Sequence, residues 1–293
     1  MKSKMLKYSM LFFIISILFS NTLFAQSAEQ IITEGDSLVK IFNNKAALEK
    51  YLQADKMKPN DWNIYWRLSK AYVDIADKMP AATDEEEDAQ LAKYQTAYDY
   101  ADKAVKLAPS QSINYLRRAI ANGKIALFKG VFSVAGVVNK VRDDCEKAIK
   151  LGNGGNYFQA LSHYVLARTN AKVSEKWAPA RSVLGLGWAD IDTAIVEYNK
   201  AIKLNPNFRM FYLDLAKAYI REDEYQQARE ALKKVIDSPK IEQSDDDNLV
   251  EAKNLLEAIK DEWVKELAHR EAGSRILRFI HADLKMKNFL WMN

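Results

Sequence analysis

The chain has 293 residues, 48% of them apolar, with 10 Gly, 6 Pro and a single Cys. That composition excludes a disordered chain and a disulfide-stapled scaffold. The formal charge is +4, but Lys2, Lys4 and Lys7 fall in the first 25 residues and no acid does, so the remainder is nearly neutral and gives a nucleic-acid partner no electrostatic footprint.

Residues 1–25 read as a targeting segment. Three lysines are followed by an apolar run from Met10 to Phe19, and small Ala25 precedes Gln26. This predicts a bacterial-type secretory signal peptide cut near Ala25, with a slip to Ala28 allowed because Leu23 is large for its place. The run is short against the ~20 apolar residues of a membrane span. No cysteine follows it, so a lipid anchor is not indicated.

A short phrase then recurs. Ala47, Tyr51, Ala54, Pro59 returns as Ala97, Ala101, Ala104, Pro109 and as Ala194, Tyr198, Ala201, Pro206. Blurred copies are Val141, Cys145, Ala148, Asn153 and Ala228, Leu232, Val235, Pro239. Steps of four and three place these residues on one helical face, where small side chains admit a neighbouring helix. The pattern is that of a tetratricopeptide repeat (TPR), and it predicts an all-α solenoid of helical hairpins.

In chain order, the first hairpin opens on Ile31, Gly35 and Leu38, with Gly35 at the closest approach of its two helices. The second opens on Tyr65, Leu68, Ser69 and Tyr72, and its second half, Ala97 to Pro109, arrives late; within the delay Thr83 to Asp88 is acidic and solvated, with Thr83 as a helix cap. The third opens on Tyr115, Arg118, Ala119 and Asn122. Its stretch from Ile125 to Val138 is the most apolar of the mature chain, either an elongated buried helix or a wall of an apolar pocket. Gly152, Gly154 and Gly155 read as a turn in place of the proline.

The fourth hairpin opens on His163, Leu166, Ala167 and Asn170, and an insert from Ser174 to Asp192 carries Trp177, Pro179, Gly185, Gly187 and Trp188. It predicts a structured loop, with Asp192 capping the next helix. The fifth, from Tyr212 to Leu232, is regular. A last helix from Asp245 to Trp263, capped by Ser244 with Asp247 in a weak capping box, should cover the open end of the stack.

The elongated middle hairpins make a more specific likeness. YQTAYDYADKAVKLAP (94–109), RDDCEKAIKLG (142–152), and the segments HYVLARTNAKVSEKW, DIDTAIVEYNKAIKLNPNFRMFYLDLAKAYI and EDEYQQAREALKKVIDSP between His163 and Ile259 follow the order and spacing of one family. Over roughly residues 30 to 262 the chain resembles the regulator of microtubule dynamics family. The resemblance implies a non-enzymatic helical-repeat module, often membrane-associated in eukaryotic members. The leader here is of another kind, so microtubule binding is not carried over.

The remaining motifs carry little chemistry. His281, Ala282, Asp283 and Asn288 echo a kinase catalytic loop, but no Gly-rich loop precedes them and only five residues follow. A terminal helix with Ile276, Leu277, Ile280 and Leu284 on one face is the simpler reading. That tail, 265–293, is basic and ends Phe289, Leu290, Trp291, Met292, Asn293, so it is either a cap or a membrane-surface contact. The three histidines lack metal-ligand spacing, Cys145 reads as a lone buried thiol, and Asp143 and Asp144 read as solvated surface. No cofactor or metal is expected.

The groove is the better candidate. By repeat register the first helix of each hairpin presents Asn63, Trp66, Lys70, Leu116, Ile120, Tyr164, Arg168, Met210, Leu213 and Lys217 to the concave face. Apolar and aromatic residues with three cations suit an extended peptide carrying acidic groups, or an amphipathic ligand with an anionic head. Inter-helix packing is the competing reading. The expectation is a signal peptide (1–25), a repeat domain (26–264) and a tail (265–293). The mature protein is read as a periplasmic or secreted adaptor for a protein or peptide, or else as a carrier of a lipid-like ligand.

Overall fold

The computed structural model describes residues 26–129 and 135–262. Over them the chain is all-α, with twelve described helices: α1 Ala28–Lys40, α2 Asn44–Met57, α3 Trp62–Ala76, α4 Asp84–Leu107, α5 Ser112–Lys129, α6 Ala135–Leu151, α7 Asn156–Ser174, α8 Ala178–Val183, α9 Ile191–Leu204, α10 Arg209–Arg221, α11 Tyr225–Asp237 and α12 Asp245–Ala258. Pairs α1/α2, α3/α4, α5/α6, α7/α9 and α10/α11 form the five hairpins. The first helices also touch one another in series, α3 to α5 to α7 to α10, which makes them the inner layer. Helix α12 packs on α10 and α11 and closes that end, as expected.

The recurring phrase is the packing seam. Ala47, Ala54, Ala97, Ala101, Ala104, Ala148, Ala194, Ala201 and Ala228 are all fully buried, as are Cys145, Leu232 and Val235. A methyl side chain at each site lets the adjacent helix come close, and the larger partner of the phrase, Tyr51 or Tyr198, fills the space beside it. Gly35 shows how tight this is: a Cβ there would lie 2.5 Å from Tyr51 Cε1. Burial pushes the Cys145 thiol well above its ordinary value, as for an inert core thiol.

Caps set the helix starts. Ser27 and Gln30 form a full capping box on α1, and Asn43, Asp61 and Thr83 cap α2, α3 and α4 through their side chains. Two expected caps are corrected. Asp190, not Asp192, caps α9, because its carboxylate reaches the Thr193 N–H at 2.8 Å. Ser244 stands at the start of α12 but makes no capping hydrogen bond; the Asp245 carboxylate instead accepts from backbone N–H groups just upstream. Thr83 caps as expected, and the acidic, largely exposed Asp84 to Asp88 that follow it lengthen α4 to 24 residues, their charge favourable at a helix N-terminus.

The surface reading of Asp144 is also corrected. It is buried, and Arg118 grips it with Nε and Nη2 at 2.8 and 2.7 Å while Nη1 reaches Asp102 at 2.8 Å. The sequence sets charged Asp143 beside it on the exposed side, which hid the difference.

The apolar stretch divides between the two readings offered for it, with residues 130–134 outside the described part. Ala126 and Val138 pack with Val173, Leu186 and Ala189, which pins the insert to the stack. Leu127 stays half exposed. Within the insert Trp188 donates to Asn139 at 2.7 Å, so the loop is structured, while Trp177 and Val183 face solvent. The glycine turn holds: Gly152, Gly154 and Gly155 all have positive φ, a conformation only glycine adopts without strain. The segment expected to be a signal peptide, the tail and its kinase-like motif lie outside the described residues, as does Trp263.

Candidate functional site

The inner layer of first helices borders a partly open cavity of about 880 Å³. Its floor comes from α3, α5, α7 and α10, through Lys70, Arg117, Ile120, Leu161, Arg168 and Leu213 among others. Its roof is a strap, Ser238–Ser244, that links α11 to α12 and brings Ile241, Glu242 and Gln243 over the groove. The strap is held from below. Arg209 donates to Ser238 O at 3.0 and 2.7 Å and to Asp245 O at 3.0 Å. The Asp245 carboxylate accepts the N–H groups of Ile241 and Glu242, both at 2.8 Å.

From there the strap and α12 reach the first two hairpins. Asn44 donates to Gln243 at 3.3 Å across 199 residues, and Lys78 lies 3.7 Å from Asp247. Both contacts are exposed and individually weak. Together they bring the two ends of the superhelix face to face, with Val39, Lys40 and Phe42 at the same rim.

Charges line the cavity in pairs. Lys70 bonds Asp74, Lys124 lies 2.6 Å from Asp77, and Lys217 lies 2.8 Å from Glu251. Arg168 sits 3.7 Å from Asp214, which accepts the Tyr164 hydroxyl at 2.7 Å. Burial pushes the Tyr164 hydroxyl far above its ordinary value; Arg168 opposes this and Asp214 adds to it. Burial also raises the Glu242 carboxyl, tempered by Lys70.

One cation differs. Arg117 on α5 is 6% exposed, its Nε is buried without a hydrogen-bond partner, and no described carboxylate lies within ion-pair distance. The Trp66 ring, 6.0 Å from its Cζ, is a distant cation–π neighbour.

The residues expected at the groove do not all reach the cavity. Lys70, Ile120, Tyr164, Arg168, Met210, Leu213 and Lys217 line it, with Tyr164 and Leu213 almost wholly buried. Leu116 is a fully buried core residue. Trp66 packs edge-on to Phe158 at 5.8 Å under the Arg67 guanidinium. Asn63 accepts from Trp66 Nε1 at 3.0 Å and from Arg67 at 2.7 Å. Sequence reasoning missed Arg117, Tyr157 and Glu242. A signal for Arg117 was present: Lys70, Arg168 and Lys217 recur at one repeat position where the third hairpin has Ile120, and Arg117 stands one turn earlier on the same face.

A second, open depression of about 450 Å³ lies between α6, α7 and α9. There His163 Nδ1 is 2.5 Å from Glu197 Oε2, and Lys200 is 2.6 Å from Oε1. Among the described residues no cluster of three or more His, Cys, Asp or Glu could hold a metal ion, and no helix is long and apolar enough to cross a membrane.

The family described as regulator of microtubule dynamics protein 1-3 matches residues 31–260. The chain belongs to that family. The match spans the five hairpins, but for the first three residues of α1, and the whole of α12.

No curated protein matches the chain. Among solved structures it is similar to TTC0263, a thermophilic TPR protein in Thermus thermophilus, at 16% identity over 78% of this chain and 99% of that one, with a TM-score of 0.55. It is also similar to residues 41 to the end of MamA from Desulfovibrio magneticus RS-1, at 17% identity over 71% and 93%, TM-score 0.44. YrrB, a TPR protein with an unusual peptide-binding site, matches at 15% identity over 82% and 97%, TM-score 0.41. The likeness to TTC0263 shows the fold: a TPR-like solenoid of paired antiparallel helices.

Proposed function

We propose that this chain is a non-enzymatic binding module, spanning 26–264, that acts as an adaptor after export and takes a protein or peptide segment in its roofed groove. The observation that carries this reading is the cavity itself. Its volume falls inside the ~300–1,000 Å³ range of ligand sites, and four consecutive first helices supply its floor. That space suits a few residues of an extended segment or a chain end. Lys70, Arg168 and Lys217 each face a carboxylate there, so an acidic segment would bind them by displacing Asp74, Asp214 or Glu251.

A carrier of a lipid-like, amphipathic ligand is the second reading. The apolar wall of Ile120, Ala126, Leu127, Val138 and Val173 beside the cations favours it. Native mass spectrometry of the purified mature protein separates the two. An empty protein that binds short acidic peptides supports the adaptor; a co-purified lipid supports the carrier and removes the adaptor. The triple variant Lys70→Ala/Arg168→Ala/Lys217→Ala is expected to weaken peptide binding at least about tenfold, because three charge-assisted contacts are lost. Unchanged affinity by calorimetry would remove the groove from the account.

A further inference from the structure

Arg117 has no structural explanation within the described fold. A guanidinium buried to this degree normally finds a carboxylate, because the desolvation of an unpaired charge costs several kcal/mol. Comparable cations here have such a partner: Arg67 holds Asp36 at 2.7 Å, Arg118 holds Asp144 at 2.7 Å, and Lys124 lies 2.6 Å from Asp77. Arg209, almost as buried, is satisfied by three carbonyl contacts. Arg117 alone of these lines the cavity with its Nε unmatched.

Its surroundings look prepared for a negative group. Lys70 lines the cavity from α3 and Tyr157 from α7, beside Arg117 on α5. Tyr157 is itself fixed between Phe158 at 5.1 Å and Phe208 at 5.7 Å. The strap brings Glu242 to the same cavity, within ion-pair distance of neither Lys70 nor Arg117. The cavity is thus lined by an unpaired guanidinium and, from the strap, by a carboxylate.

We propose that Arg117 is the anchor of an oxyanion site inside the cavity, and that the bound segment presents a carboxylate or a phosphate to it, with Glu242 as the resident competitor. The planar guanidinium matches either group through two parallel N–H donors. This deepens the adaptor reading and rests on it for the nature of the segment, but the site can be tested with anions alone.

The test uses the mature chain with side-chain ¹⁵N NMR and thermal melts. Inorganic phosphate and acetate are titrated separately against chloride at matched ionic strength. The Arg117 Nε–H resonance should shift saturably with at least one oxyanion, half-saturating at about 1–10 mM, and Tm should rise with it. Preference for acetate identifies a carboxylate source, and preference for phosphate identifies a phosphorylated one.

Arg117→Met should abolish the anion-dependent rise in Tm while leaving the anion-free Tm unchanged or higher, since an unpaired buried charge is replaced by an apolar side chain. Arg117→Lys should retain a weaker response, because the fork is lost. Glu242→Gln should bind several-fold more tightly. A purely structural Arg117 would instead make Arg117→Met less stable with the anion response intact. That result, a Glu242→Gln variant with unchanged affinity, or a wild type with no saturable shift would each overturn the proposal. If the anion site stands and acidic peptides still fail to bind, the adaptor reading falls and the site remains.

Discussion

At the residue scale the repeat positions behave as two populations. The small ones, Ala47 to Ala228, are set by contact distance alone and could be located by spacing. The charged ones could not, because a charge on a helix is solvated or buried according to what packs on it. Asp36 and Asp144 illustrate this: each meets an arginine from another helix, Arg67 and Arg118. Arg118→Ala would leave Asp144 buried and unmatched, and should cost about 3 kcal/mol, read as a lower urea midpoint at an unchanged slope. For Asp36, burial raises the carboxyl, but the hydrogen bonds from Arg67 and Tyr51 outweigh it and hold it below its ordinary value. Its contribution is therefore present above the unfolded carboxylate range, near pH ~4, and lost as pH falls further. The urea midpoint should drop less between pH 7 and pH 3 in Asp36→Asn than in the wild-type chain.

At the element scale, helices were legible and their edges less so. Amphipathic spacing and caps such as Thr83 are local, so α1 to α4 follow from neighbouring residues. The strap is different. Ser238–Ser244 reads as an ordinary loop, and its fixed course depends on Arg209, some thirty residues upstream, and on Asp245. Arg209→Ala should free it: amide exchange across 238–245 should accelerate by about tenfold or more, with the core of α10 protected as before. The long α4 gives a second case. Its Thr83 cap and acidic first turn are local, but its anchorage is not: Gln90 donates to Ala76 O and Tyr94 to Asp77, both at 2.6 Å, which ties the extension back onto α3.

At the scale of the whole molecule, the curvature of the stack decides the site. Each hairpin is rotated slightly on the last, and over five hairpins the two ends approach across the groove. A straight array with the same repeat residues would lack these contacts between its ends. The closing contacts are few and exposed, so they act as a light latch. Asp247→Lys, which sets like charges against Lys78, should raise amide exchange in 241–248 without lowering the global stability by more than about 0.5 kcal/mol. A large loss of stability would mean that the closure is part of the core.

The sequence by itself determined the solenoid, the number of hairpins, the stretching of the middle ones, and the cations at one repeat position. All of these depend on periodicity and on neighbours along one helix, which are written in the chain directly. The tertiary structure decided which of those residues face the cavity, which carboxylates are buried, and that the groove has a roof. It also decided that Leu116 belongs to the core while Arg117, one residue on, is left with an unmatched guanidinium in a pocket. One residue along a helix is a turn of about 100°, and only the packing of the neighbouring helices says which of the two directions is the interior.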